Sequence, residues 1–229
     1  MYSLEIEGKK YQLDQEWNVN TWLQLHKWNP EEQWQWPKMI EIASGAPAEL
    51  VAELDYDIQY EAILIVTGNM VPNWAQLQTK IGSYKLINIE NLTIGQFVDL
   101  EVALSRGLEK NLDWLVSVLY DCPKKDVLTW NYEWAFAALQ TWYVHRKNIL
   151  EGYTDLFELG EVEEDSRTIK VDPAHNWYDL LMVLAEEQFL NIHQVVDRPV
   201  HEALNFLAWK KDQAKKAELE RKKLEMTRR

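Results

Sequence analysis

The stretch from residue 92 to 120, LTIGQFVDLEVALSRGLEKNLDWLVSVLY, constrains the chain most, because it holds both a defined helix start and the longest buried pattern. Thr93 and Gln96 have the spacing of a reciprocal capping box, which satisfies free backbone N–H groups at a helix start. Ile94, Phe97, Val98 and Val102 follow at i, i+3, i+4 and i+8, Leu100 and Leu104 widen the apolar arc, and Asp99 and Glu101 are expected to point away. Arg106 and Gly107 break that helix. Leu108, Leu112, Leu115 and Leu119 then recur at i, i+4, i+7 and i+11, with Val116 beside them, until Cys122-Pro123 ends the run. Two helices joined so closely predict an antiparallel pair.

The flanks extend this helical reading. Tyr2 to Leu13 alternates, with Leu4, Ile6, Tyr11 and Leu13 on one side, which predicts a β-hairpin, and Tyr84 to Ile89 predicts one further strand that could widen it to three. Val19, Trp22 and Leu23 open a short helix, Asn29-Pro30 caps a second, and Leu50, Val51, Leu54, Ile58, Ala62 and Ile65 form the face of one or two more. A long helix from Asn131 carries Tyr132, Phe136, Leu139, Tyr143, Leu150, Tyr153 and Phe157, a stripe interrupted at Arg146, with Gly152 its weak point. The four acids within residues 161–165 of GEVEEDSRTIKVDPAH suggest a linker. After it, Asp172 or Asn176 could cap a helix faced by Trp177, Leu180, Leu181 and Leu184. The last helix, opened by Asp197 and Pro199, should leave the core beyond Trp209. The expected fold is mainly α, a helical bundle with a small N-terminal hairpin or three-stranded sheet and a projecting C-terminal helix. It divides into a body (1–159), a linker (160–175) and a C-terminal module with a charged tail (176–229).

Charge narrows the partners. Residues 210–229 hold nine Lys/Arg against four acids, a net +5, so the rest of the chain carries −18 of the total −13. Such a body repels nucleic acid, and the tail reads as a solvated mixed-charge helix. No stretch approaches the roughly 20 apolar residues of a membrane helix, and MYSLEIEGKK lacks a signal-peptide core, so a cytosolic product without membrane partners is expected. The single cysteine, Cys122, permits no internal disulfide and no thiolate zinc cluster.

Catalytic patterns are weak. His175, His193 and His201 lack the i, i+4 spacing of a helical metal site, and His26 and His145 read as packing residues. Glu186-Glu187, Asp55/Asp57 and Glu163-Glu164-Asp165 are carboxylate groups without a pattern that would separate an acid from a base, which leaves a glycosidase-like reading poorly supported. With eight glycines in the chain and no phosphate loop, nucleophile elbow or dinucleotide fingerprint, no enzyme or cofactor is expected. Twelve tryptophans are the unusual resource. Trp17, Trp22, Trp28, Trp34 and Trp36 are too dense for one short buried face, so Trp22, Trp28, Trp34 and Trp36 are the expected protein-binding residues. A sugar-stacking platform is the rival reading. Lys210, Lys211, Lys215 and Lys216 are expected to add a salt-sensitive electrostatic contact.

LTIGQFVDLEVALSRGLEKNLDWLVSVLYDCP, followed by the aromatic helix from Tyr132, resembles a segment of tail-assembly proteins of tailed bacteriophages. NWYDLLMVLAEEQFLNIHQVVDRPVHEALNFLAWKKDQAKK is similar to the ending of the same class, with a Trp-Tyr helix before a Pro-initiated helix and a charged tail. The resemblance covers 92–159 and 176–216 and contains no catalytic residue. It implies a tail assembly chaperone or a related tail or baseplate assembly factor, not an enzyme. The implied partners are the tape measure protein, then tail tube or baseplate subunits, with a homo-oligomer compatible. The implied location is the host cytoplasm during assembly, with retention in the virion tail as the alternative.

Overall fold

A computed structural model describes residues 2–13, 16–72, 76–157 and 173–227, and helices dominate them. The N-terminal alternation folds as the expected hairpin, β1 (Ser3–Ile6) antiparallel to β2 (Lys9–Gln12), with Leu4 opposite Tyr11 and Ile6 opposite Lys9. Gly8 takes φ +78° in its tight turn, a conformation that costs glycine little. Helix α1 (Val19–Leu25) begins where Asn18 Oδ1 accepts from the Thr21 N–H at 2.9 Å. Helices α2 (Trp36–Ser44), α3 (Ala48–Ala52) and α4 (Tyr56–Met70) follow. The strand expected over Tyr84–Ile89 is confined to β4 (Tyr84–Lys85), which pairs with β3 (Lys80–Ile81) in a separate sheet. Gly82-Ser83 supplies a turn immediately before β4, so the local partner wins over the distant hairpin, and among the described residues no third strand joins it.

The capping box forms as read: the Thr93 N–H donates to Gln96 Oε1 at 3.0 Å and the Gln96 N–H to Thr93 Oγ1 at 3.2 Å. It opens α5 (Ile94–Ser105), after which come α6 (Leu108–Tyr120), α7 (Lys124–Val127), α8 (Tyr132–Gly152) and α9 (Thr154–Phe157). The C-terminal helices are α10 (Pro173–Leu184), α11 (Ile192–Val196) and α12 (Val200–Thr227). Residues 160–172 of the expected linker, with Asp172 as a cap and the run Glu163-Glu164-Asp165, lie outside the described residues. Residues 173–175 already belong to α10, and Asn176 lies inside that helix instead of capping it.

The chain groups into two compact units, residues 1–86 with 106–141 and residues 87–105 with 142–229, and α8 contributes one half to each. In the first unit α2 packs on α1, α3 and α4, while α6 packs on α1 and α7; in the second, α5 packs on α10, α11 and α12. The antiparallel α5–α6 pair is therefore corrected: the two helices serve different units. Gly107, at φ +99°, lies in the short connection between the two helices, a conformation that costs glycine little. Glu101 is corrected too, since it is buried against Arg146 instead of facing solvent.

Each unit is built around the same device. In the first, the N–H of Val19 donates to the Trp130 carbonyl at 2.9 Å and that of Tyr132 to the Trp17 carbonyl at 3.2 Å, bridging Asn18 to Asn131. In the second, Ile94 donates to Arg198 at 2.8 Å and Val200 to Leu92 at 2.9 Å, bridging Thr93 to Pro199. Both bridges satisfy donors that a helix start leaves unpaired. The faces behind them match. Val19, Trp22 and Leu25 are buried at the spacing of Ile94, Phe97 and Leu100, and Tyr132, Ala135 and Leu139 at that of Val200, Ala203 and Leu207. Leu112, Leu115, Val116 and Leu119 of α6 have the spacing of Trp177, Leu180, Leu181 and Leu184 of α10, and left-handed residues, Asp121 and Glu186, follow both helices.

Close packing in the second unit gives a first test. A Cβ on Gly95 would stand 2.9 Å from Val196 Cβ and 3.0 Å from the Val196 carbonyl oxygen. Gly95→Ala should therefore destabilise by about 1–3 kcal/mol through overpacking, despite alanine's better helix propensity. Urea unfolding checks it, and a stabilised variant would contradict this approach of α5 to α11.

Candidate functional site

The tryptophan-rich N-terminal segment divides by burial. Trp17 and Trp22 are core residues whose indole N–H groups donate to the carbonyls of Ala43 at 3.2 Å and Met70 at 3.0 Å. Trp22 also meets Phe136 edge-on at 5.0 Å and lies 3.7 Å from the His26 ring. Burial holds that imidazole below its ordinary range, so His26 is a neutral packing partner at pH 7. Trp36 is buried with its N–H on the Pro30 carbonyl at 2.7 Å. The expectation that Trp22 and Trp36 belong to an exposed binding surface is thus corrected. Several elements, rather than one short face, share the burial of these rings. Trp28 is half-buried, and Trp34 is 72 % exposed with its N–H on Glu32 Oε2 at 3.1 Å.

The more extended apolar surface in the first unit lies on α4. That helix buries Gln59, Ala62, Ile63 and Val66, with the Gln59 amide donating to the Leu54 carbonyl at 2.8 Å. Its outer side carries Tyr56 (52 % exposed), Tyr60 (44 %) and Leu64 (52 %), a single i, i+4, i+8 ridge. Tyr56 and Tyr60 stack at 6.0 Å with their planes 10° apart, and Trp36 supports both at 5.6 and 5.8 Å. Asp57 and Glu61 are exposed on the same helix. Sequence reasoning missed this ridge because YEAILIV is so uniformly apolar that its period gives little contrast.

The basic residues of α12 behave unequally. Val200, Ala203, Leu204 and Leu207 are buried, and residues 212–226 are all exposed. Lys210 lies 5.1 Å from the Phe206 ring and Lys211 donates to the Asp155 carbonyl, so both contact their own unit. Lys215 is exposed, and Lys216 pairs with Asp212 at 3.3 Å. Further i, i+4 pairs, Lys222–Glu218 at 2.6 Å and Arg221–Glu225 at 3.3 Å, support the helix while reducing its free charge.

Among the described residues no group of three or more His, Cys, Asp and Glu is placed to hold a metal ion. Asp55, Asp57, Glu186 and Glu187 are exposed carboxylates. Burial pushes the Cys122 thiol up to about 11, so it is protonated and a poor nucleophile at neutral pH. Among the described residues no helix is long and apolar enough to cross a membrane. Comparison with known protein families, curated proteins and solved structures finds no match to this chain.

Proposed function

We propose that this chain is a tail assembly chaperone of the tailed-bacteriophage type, which holds hydrophobic helices of a tape measure protein soluble until they are used. The observation that carries the reading is the exposed Tyr56–Tyr60–Leu64 ridge, stiffened by Trp36 beneath it. Apolar anchors at helical spacing are the means by which one helix packs along another. Aromatic rings with few rotatable bonds contribute much of the energy in such contacts. The resemblance over 92–159 and 176–216 supports the same reading. So does the acidic body, whose like charges oppose self-association while the ridge remains open to a partner.

Co-expression with tape measure segments tests it. Tyr60→Ser with Leu64→Ser should lower binding by more than tenfold, equivalent to about 1.4 kcal/mol, while leaving the helical circular dichroism spectrum unchanged, because both side chains are about half exposed. Trp34→Ala probes the exposed indole beside α2, and truncation after Trp209 should weaken binding only at low salt. Undiminished binding by the double variant would remove α4 as the recognition surface.

A further inference from the structure

The second unit contains a groove of about 360 Å³ between the end of α10, α11 and α12, with Ala185, Ala203 and Phe206 in its apolar wall and Gln194, Arg198 and Glu202 among its polar residues. The matching place in the first unit is occupied. Counting from the bridge residues Asn131 and Pro199 puts Asp126 at Gln194 and Trp130 at Arg198, and counting from Asp121 and Glu186 puts Tyr120 at Ala185. Hairpin β3–β4 sits on those three positions of the first unit. Tyr84 donates its hydroxyl to Asp126 Oδ2 at 2.5 Å, its ring lies 6.0 Å from Trp130, and Trp130 meets Tyr120 edge-on at 5.1 Å. The Tyr120 hydroxyl donates to the Gln78 carbonyl, just ahead of β3.

We propose that the groove of the second unit is a docking site for a tyrosine-bearing, lysine-flanked β-hairpin of a partner protein. Its chemistry suits a phenol. Gln194 offers a side-chain carbonyl where Asp126 accepts from Tyr84, and alanine at 185 leaves the space that a tyrosine takes at 120. Arg198, paired with Glu202 at 3.7 Å, presents a guanidinium where Trp130 presents a ring, and such a cation attracts an aromatic face. Charge complements this: Glu186 and Glu202 line the groove, and the resident hairpin of the first unit flanks Tyr84 with Lys80 and Lys85. Beside the groove Phe189 and Leu190 are 65 % and 84 % exposed, an apolar shelf for such a partner to cover. The chain's other hairpin fits poorly. Leu4, Ile6 and Tyr11 are already buried, and the pair matching Ile81–Tyr84 is Ile6–Lys9, which has no phenol. The site is independent of the α4 ridge.

The probe is a cyclised peptide of residues 79–86, TKIGSYKL, titrated calorimetrically into the full-length protein. Saturable binding is expected, weakened at least tenfold by Gln194→Ala in the protein or by phenylalanine in place of the peptide's tyrosine. Gln194 is exposed, so its variant keeps the fold. Absence of binding to the parent would overturn the proposal. So would binding that Gln194→Ala leaves unchanged, since the peptide would then be exchanging with the resident hairpin at Asp126.

Discussion

Arg146→Leu is expected to destabilise the protein by about 3–5 kcal/mol, the loss that follows when one partner of a buried ion pair is removed. Glu101 on α5 is 8 % exposed, and its carboxylate accepts two hydrogen bonds from Arg146 on α8, one at Nη2–Oε2 of 2.9 Å and one from Nε. The Glu101 hydrogen bond raises the Arg146 pKa against the opposing effect of burial, so the guanidinium stays charged. Leucine in its place leaves an unpaired carboxylate beside Phe97, Val98 and Leu100 of the same buried helix. Adding Glu101→Leu should recover most of the loss, because a paired apolar replacement removes the desolvation problem along with the attraction. Urea unfolding of both single variants and the double variant gives the answer. A loss below about 1 kcal/mol for Arg146→Leu would mean that water reaches the pair freely.

Leu115→Ala should cost about 2–5 kcal/mol. Leu112, Leu115, Val116 and Leu119 are all fully buried on the inner face of α6, so truncation removes transfer energy and leaves a cavity that rigid neighbours fill only in part. Leu219→Ala on the exposed part of α12 serves as the internal contrast and should change stability by less than about 0.5 kcal/mol. Equal effects at the two positions would overturn the assignment of α6 to the core.

The contrast between those leucines was legible in the sequence, as were the capping box, the first hairpin and the point where α12 leaves the core. Each depends on local pattern: a three-residue cap spacing, strict alternation, or an apolar face that gives way to charge. What failed depended on tertiary choice. The stripe of α8 turns inward at Trp142 and Ile149, while Tyr143 is exposed, because the helix serves two units and its buried side is set by both. Arg146 did interrupt the apolar stripe, yet its partner lies 45 residues away, beyond any local pattern. Local pattern alone therefore sends Glu101 to solvent. Tryptophan density predicted exposure for Trp22 and Trp36, but carbonyls at Met70 and Pro30 satisfy their N–H groups inside the fold. The repeated device is illegible in the sequence because its halves interleave along the chain and share only the spacing of their apolar residues, with Trp22 standing where Phe97 stands.

The chaperone reading is tested most directly by quantitative mass spectrometry of purified particles, set beside material co-purifying with the tape measure protein from the same cells. The account predicts this chain in the tape measure complexes and its depletion from finished particles. Stoichiometric copies in the particles, with none bound to free tape measure protein, would contradict it and identify a structural tail component instead.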